Sequence, residues 1–283
     1  MLRFLAAAIA ASSFAVAASA QAPSSQAPSA EARSPQVRSK APAKTVARKP
    51  SGQTKASAKP VESGPCTLGV VSVVEDRLEI DKFGVTIFET EVTEVPVEGW
   101  GLGDLVVARV RAATGNDPTV RRISYPKGAF EPYYHPKSRF LPDPRESLTS
   151  IVRDVTANSN CDRYLVVTTF EGKIAGTNLT VKGIGAYNQG LGSLIRHSHL
   201  FANFTISLID GKSYERISSF AADTGSRLAE SMRITEDPLK KLDNADFPDP
   251  PSAAANSVVL RERIRTLVAD KLDRDLPKYL EKQ

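Results

Sequence analysis

From Gln21 to Gly64 the chain has no aromatic residue at all, and the whole sequence holds only two cysteines, two methionines and one tryptophan. A stretch without large apolar side chains cannot bury enough surface to offset the entropy of ordering it. A packed subdomain is thereby excluded over Gln21–Gly64, and a disordered, extended tail is expected. The shortage of cysteine excludes a disulfide-dense mini-scaffold and a multi-cysteine zinc site. The residue directly after Ala20 is Gln21 rather than cysteine, which argues against a lipid-modified amino terminus of the bacterial lipoprotein type. Beyond Ala20 no apolar run is long enough to span a bilayer.

What is present at the amino terminus has the form of an export signal. Arg3 precedes an alanine-rich apolar stretch from Phe4 to Ala18, and Ala18, Ser19 and Ala20 give the small-x-small end of a cleavage site. Cleavage after Ala20 and a periplasmic or secreted product are expected, with an uncleaved amino-terminal anchor as the alternative. Residues 1–20 are therefore read as signal peptide, 21–64 as a basic tail rich in Pro, Ala, Ser and Lys, and 65–283 as one globular domain.

Charge is divided the same way. The tail carries eight basic residues (Arg33, Arg38, Lys40, Lys44, Arg48, Lys49, Lys55, Lys59) against Glu31 and Glu62, or 8 − 2 = +6. The whole chain is +5, so removing +6 and the +1 of Arg3 leaves −2 for Pro65 to Gln283. A nucleic-acid-binding domain would carry its own basic patch, and none is implied. The tail suits an anionic envelope polymer, which it would follow by charge rather than by shape. A plain spacer is the alternative, because proline-rich segments hold their ends apart whatever their charge.

The folded part is organised around Cys161 to Phe170. Leu165, Val166, Val167 and Thr168 form a β-branched run that suits a strand buried on both faces. Cys66 to Val74 opens in the same manner, with a cysteine ahead of the valines. If the two strands are parallel neighbours, about 4.8 Å apart, Cys66 and Cys161 fall at one end of the sheet within reach of a disulfide. Arg77 to Ile80 reads as a second strand, Val85 to Phe88 as its continuation or another, and Glu89 to Val97 as weak strand or loop. Trp100 to Gly103 punctuates the chain, and Asp104 heads Leu105–Ala113, where Leu102, Val106, Val110 and Ala113 fall at helical spacing, so a helix is expected although the valines would also suit a strand; Thr119–Tyr125 reads as a strand.

Asp143, Pro144 and Glu146 have the spacing of a helix start, followed by the apolar face Leu148, Ile151, Val152 and Val155. The second half turns antiparallel. Leu179 to Ala186 alternates, His199 to Ile209 reads as one long strand, and Asp210-Gly211 signals a hairpin. Val258 to Asp275 is an amphipathic helix with Leu276 and Leu280 extending its stripe past Pro277. The fold class is α+β: a mixed sheet with flanking helices, an antiparallel meander and a carboxyl-terminal helix.

This order of strands and helices, with Leu208 to Gly211 at the hairpin, resembles the α/β domain at the amino terminus of TolB proteins and of lipoprotein activators of cell-wall synthases. Phe83 to Phe88 and Cys161 to Val167 also resemble uncharacterised exported bacterial proteins. The first likeness is one of pattern over about Cys66 to Phe220. It transfers no catalytic residue, and the missing lipidation cysteine departs from the activators.

Motifs of chemistry are few. Asp223 to Ser226 resembles the aspartic-protease loop, but no later glycine supports it. His197 and His199 would point to one side of a strand, yet no specific third metal ligand accompanies them. Gly183 to Gly192 lacks the helix a phosphate loop needs and reads as a flexible connection. Gly190 to Ser193 lacks the spacing of a nucleophile elbow. Asn178 and Asn203 head glycosylation triplets, relevant only in a eukaryotic route.

The candidate partner-contact surface is the loop carrying Phe130, Tyr133, Tyr134 and His135, whose amphipathic rings suit a polymer or protein. The alternative, which long ordered loops favour, is that the rings fold back over the core. No catalytic, cofactor-binding or metal-binding residue is assigned and no cofactor is expected. The reading is an exported, non-enzymatic envelope protein with an interaction domain on a basic tether. An unrecognised periplasmic hydrolase or metal-dependent enzyme is the alternative.

Overall fold

The computed structural model describes residues 64–84, 90–138, 140–141, 143–191, 195–217, 226–235 and 239–280. Residues 1–63, which hold the expected export signal and nearly all of the basic tail, lie outside the described residues, as do Val85 to Phe88 and Asp223 to Gly225.

Two five-stranded sheets carry the fold. In the first, β1 (Cys66–Ser72), β4 (Val120–Arg122) and β5 (Cys161–Thr169) are parallel, with β1 between the other two. Next to β5, β10 (Phe204–Asp210) and then β11 (Arg216–Ile217) add antiparallel strands. The second sheet runs β12-β9-β8-β2-β3. It contains β2 (Arg77–Phe83), β3 (Glu91–Pro96), β8 (Ile184–Leu191), β9 (Ile195–Ala202) and β12 (Lys240–Leu242), and only its β2–β8 pair is parallel. A separate ribbon pairs β6 (Glu171–Lys173) with β7 (Thr180–Lys182).

The period-2 alternation of the strands sorts their side chains. From the first sheet, Leu68, Val70, Leu165, Val167, Phe204 and Ile206 enter the main core, and from the second, Leu78, Ile80, Ala186 and Leu200 enter the same cluster. Helix α1 (Leu102–Ala113) contributes Leu102, Val106 and Val110 to it. The opposite face of the first sheet, with Val71, Tyr164, Val166 and Ile209, packs on α3 (Leu148–Val155) and on Phe130. Between α1 and α3 in the chain lies a single helical turn, α2 (Glu131–Tyr134). Burial of β5 on both faces is thus as its β-branched run implies. The outer face of the second sheet packs Phe83, Tyr187 and Phe201 against Ile174 and Val181 of the ribbon region.

Cys66 and Cys161 are register partners in the parallel β1–β5 pair, and their sulfurs form a disulfide. The loop of five residues between β10 and β11 differs from a tight hairpin. Gly211 does not take the left-handed conformation there; Tyr214 does, with φ 59°. Gly211 is needed because a Cβ would lie 2.0 Å from the Cys161 carbonyl oxygen, while its own N–H donates to Asp162 O at 2.8 Å.

Two other expected strands are divided. The run read as one strand from His199 to Ile209 breaks at Asn203, where the chain leaves the second sheet for the first. Leu179 to Ala186 breaks at Gly183, with φ 65°, into the end of the ribbon and the start of β8. The glycine-rich stretch read as a flexible connection is in fact mostly β8, paired on both sides. Glycine is required there by crowding: a Cβ on Gly185 would sit 1.9 Å from the Glu79 carbonyl oxygen. Asn203 is fully buried, which excludes it as a glycan acceptor.

The helix expected from Asp143 begins slightly later. Asp143 caps a 3₁₀ turn over Pro144–Glu146, accepting from Arg145 N at 2.9 Å, and Ser147 caps α3 by accepting from Ser150 N at 3.2 Å. Glu146 does not close a capping box; its carboxylate accepts from Lys137 N at 3.3 Å. Short helix α4 (Ser226–Met232) lies against β10 and β6. The long helix α5 (Val258–Asp275) starts at the cap Ser257, and α6 (Pro277–Leu280) follows directly, so Leu276 and Leu280 do carry the apolar stripe onward.

Candidate functional site

The parallel strands β1 and β5 end side by side, and there the chain crosses to the second sheet through Val73 to Asp76. The carboxyl ends of parallel strands are where open α/β sheets place ligands. At this edge lies a cleft of about 250 Å³. Its walls are Val73, Val74, Leu78, Thr169, Gly183 and Ile184, and its charged groups are Glu75, Arg77, Glu79, Glu94, Glu131, His135 and Lys182, with Tyr134 beside them.

The charges come from five separate segments of the chain, Glu75 from the link between β1 and β2. Strand β2 supplies Arg77 and Glu79, the edge strand β3 supplies Glu94, α2 and the residue after it supply Glu131 and His135, and the ribbon supplies Lys182. Arg77 pairs with Glu75 at 3.0 Å and Glu94 at 3.4 Å, Lys182 with Glu94 at 3.5 Å, and His135 approaches Glu131 at 3.7 Å. The side chains in these pairs are 43% to 70% exposed, so each pair contributes little to stability. They hold the cleft's rim in place. Four carboxylates against Arg77 and Lys182 leave the site at 2 − 4 = −2 before any proton is bound.

The unusual group is at the cleft floor. Glu79 is 8% exposed, accepts from the Lys182 backbone N–H, and has its pKa pushed up, first by burial. Two residues on, Asp81 faces the same side of β2 and is wholly enclosed. Among the described residues neither of its carboxyl oxygens meets a donor. Burial, and then the neighbouring Glu79 carboxylate, drives its pKa far above the ordinary range. Ionised carboxylates only accept hydrogen bonds, so these two are joined only when one is protonated and donates to the other. Behind Asp81 on β8, Tyr187 stacks on His199 of β9 at 5.3 Å. The Nδ1 of His199 is buried without a partner among the described residues, and burial lowers its pKa.

The aromatic loop divides between structure and cleft. Phe130 is buried in the second core cluster, edge-on to Tyr125 at 4.9 Å. The Tyr133 hydroxyl donates to Glu230 of α4 at 3.1 Å, and burial raises the pKa of both groups. Tyr134 accepts from Thr169 N at 3.0 Å and Thr169 Oγ1 at 3.2 Å while lining the cleft. His135 remains exposed at the rim. Three of the four residues therefore fold back, and only Tyr134 and His135 reach the cavity.

His197 and His199 do share β9, but His199 is half-buried against Tyr187 rather than paired in solvent with His197. Among the described residues no three His, Cys, Asp or Glu side chains converge in an arrangement suited to a metal ion. Ser226 opens α4, and the rest of the protease-like tetrad lies outside the described residues. Sequence reasoning missed Glu79, Asp81, Glu94 and Lys182. Alternation along β2 puts Leu78 and Ile80 inside and assigns the intervening acids to solvent, and no local signal reveals that a ribbon a hundred residues away covers them.

Comparison with known proteins adds little. No protein-family model matches the chain, and no curated protein matches it. Among solved structures, it is similar to protein XCC0632 from Xanthomonas campestris, of family DUF330, at 12% identity and a TM-score of 0.28, over 75% of this chain and 89% of that one. It is also similar to the hypothetical protein CT253 from Chlamydia trachomatis, at 6% identity and a TM-score of 0.25, over 75% and 98% of the two chains. Both are bacterial and neither is a TolB protein. At such scores neither bears on the fold or the function of this chain.

Proposed function

We propose that the chain is an exported envelope binding protein, whose folded domain docks a partner at the cleft while the basic tail keeps it near anionic envelope polymer. The observation that carries this reading is the cleft itself. It is a concave site at the carboxyl edge of the parallel strands, lined by charged groups that five separate segments hold in mutual ion pairs. Such convergence of polar groups in one cavity is what binding sites share. The division of charge supports the tether, with +6 in residues 21–64 and −2 from residue 65 onward. The Cys66–Cys161 disulfide fits an oxidising compartment.

One observation favours a second reading. Glu79 is a carboxyl group biased toward holding its proton inside a cleft, the property a hydrolase requires of its general acid.

Photo-crosslinking in intact envelopes tests the first reading. A photoreactive residue replacing His135, on the rim, is expected to capture a defined partner that is lost when Glu94 is changed to Lys. The same group replacing Val258, 71% exposed on α5, should not capture it. Equal capture from both positions would overturn the cleft as docking site. In parallel, the full mature chain should sediment with isolated envelopes in a salt-sensitive manner, and a chain beginning at Pro65 should not.

A further inference from the structure

Glu79 and Asp81 stand on one face of β2, and the β6–β7 ribbon closes that face. Lys182 of β7 gives Glu79 its backbone N–H. Phe83, two residues past Asp81 on the same face, packs with Ile174 and Val181 of the ribbon region, and so does Tyr187, the register partner of Asp81 on β8. Asp81 thus sits among three residues that the ribbon covers, and it is wholly enclosed. Among the described residues neither of its oxygens meets a donor, and Glu79 offers one only when the pair holds a proton. With that proton the pair carries one negative charge and one internal hydrogen bond. Without it, two like charges share an enclosure, a state that is relieved only by letting water in.

Of the elements around the pair, the ribbon is held by the fewest bonds. Strand β2 is laddered on both sides, to β3 and to β8. Among the described residues the ribbon forms no ladder with either five-stranded sheet. Its two bases are tied to each other, Gly183 N–H to Phe170 O at 3.0 Å, and Gly183 has the left-handed φ of 65° that suits a pivot. Beyond the pivot, Asn203 Nδ2 donates to Val181 O at 3.0 Å. Lys173 N–H donates to Arg233 O at 2.7 Å and accepts from Thr235 N–H at 2.8 Å, and Thr235 Oγ1 donates to Gly172 O at 3.0 Å. Segments held by few bonds are the ones that open locally while the rest stays folded.

We infer that the β6–β7 ribbon is a strap, which lifts from β2 about Phe170 and Gly183 when the Glu79–Asp81 pair gives up its shared proton. Lifting admits water to both carboxylates and takes Lys182 away from Glu79 and Glu94, so the cleft widens on that side. This device belongs to the fold and stands whether or not the cleft docks a partner. Enclosure raises Asp81 to about 9, so between the ordinary carboxylate range and that value the closed pair holds one proton more than the open one. The opening constant therefore rises about tenfold for each pH unit in that window.

Other groups face the pair from every side. Arg77 precedes Glu79 on β2, Glu94 is its partner on β3, Lys182 covers it, and Tyr187, His197 and His199 follow on β8 and β9. Burial holds His199 below its ordinary range, so above pH 7 it is already neutral. All six remain in a variant changed only at Asp81, which separates their titration from that of the pair.

The test is amide hydrogen exchange of the full mature protein, followed by NMR from about pH 7 to pH 8.5 and corrected for the intrinsic base-catalysed rate. Protection of the Lys182 and Lys173 amides is expected to fall about tenfold per pH unit. Val166, in β5 with a strand on each side, should stay at least tenfold better protected than either, which marks the opening as local. In Asp81→Asn the introduced amide donates to Glu79 and no proton is left to lose, so protection of Lys182 should be constant over the same range. Protection of Lys182 that is independent of pH in the wild type, or equal to that of Val166 throughout, would overturn the inference. So would the same slope persisting in Asp81→Asn. Should that variant not fold, the comparison of Lys182 with Val166 in the wild type decides alone.

Discussion

Asp81 stands two residues from Glu79 on one face of β2, completely enclosed, with no hydrogen-bond donor for either of its carboxyl oxygens among the described residues. Its pKa is raised from 3.8 to about 9, chiefly by burial and then by the charge of Glu79. A carboxyl that holds its proton more tightly when folded contributes most to stability below its unfolded value, and the contribution is lost as pH rises toward the folded value. The expected consequence is that Asp81→Asn becomes progressively stabilising relative to wild type between about pH 4 and pH 9. The gain at pH 7 over pH 4 is at most about 4 kcal/mol. Urea denaturation of both proteins across this range measures it. A constant difference would show that Asp81 ionises normally. The comparison of two proteins is necessary because Asp143, Asp210 and Asp275 have lowered pKa values and lose stability in acid.

The disulfide closes 95 residues of sequence separation. In the chain-entropy account, a loop of that size restricts the unfolded state by about 4–5 kcal/mol. Reduction, or Cys66→Ser with Cys161→Ser, is expected to lower the urea midpoint accordingly. Denatured, unreduced protein should titrate no free thiol. Two titratable thiols would refute the bond.

The aromatic loop should separate sharply under mutation. Phe130→Ala removes a fully buried ring and is expected to cost about 3–5 kcal/mol. Tyr133→Phe leaves Glu230 without its donor and is expected to cost about 1–3 kcal/mol. His135→Ala, at an exposed position, should change stability by less than about 0.5 kcal/mol. Equal costs for Phe130 and His135 would contradict the packing described.

Gly185→Ala is expected to be among the most damaging single-methyl additions. The new Cβ would be 1.9 Å from the Glu79 carbonyl oxygen and 2.8 Å from the Phe201 ring, so β2 and β8 must part. A loss above about 3 kcal/mol is expected, because backbone rather than a yielding side chain is in the way. Thermal unfolding measures it, and a shift within a degree or two of wild type would show that the strands separate cheaply.

The elements most legible in the sequence were those whose signal is local. Val258 to Asp275 carries its stripe and its cap, and β5 carries a β-branched run with no polar interruption before Thr168. The pairing of Cys66 with Cys161 followed from matching offsets ahead of two buried strands, because parallel register converts equal offset into adjacency. Breaks at Gly183 and Asn203 were not legible. Asn203 sits inside an apolar run, and its role lies in bonds to distant segments: its N–H to Gly183 O, its Nδ2 to Val181 O and Thr235 Oγ1. The cleft was hidden for the same reason. His135 and Tyr134 were singled out for their chemistry, yet their partners at the site come from β2, β3 and the ribbon, and only the fold brings those together.

Cys66 is also the point where the chain enters the folded domain from its amino-terminal side. A pull along that segment therefore reaches the sulfur bridge before it reaches the β1 hydrogen bonds beyond residue 66. The load passes across to Cys161 and into β5, which is clamped by β1 on one side and β10 on the other. Strand β1 cannot be peeled away one rung at a time from its first residue. Traction on the amino-terminal segment therefore acts on β1 and β5 together rather than on β1 alone.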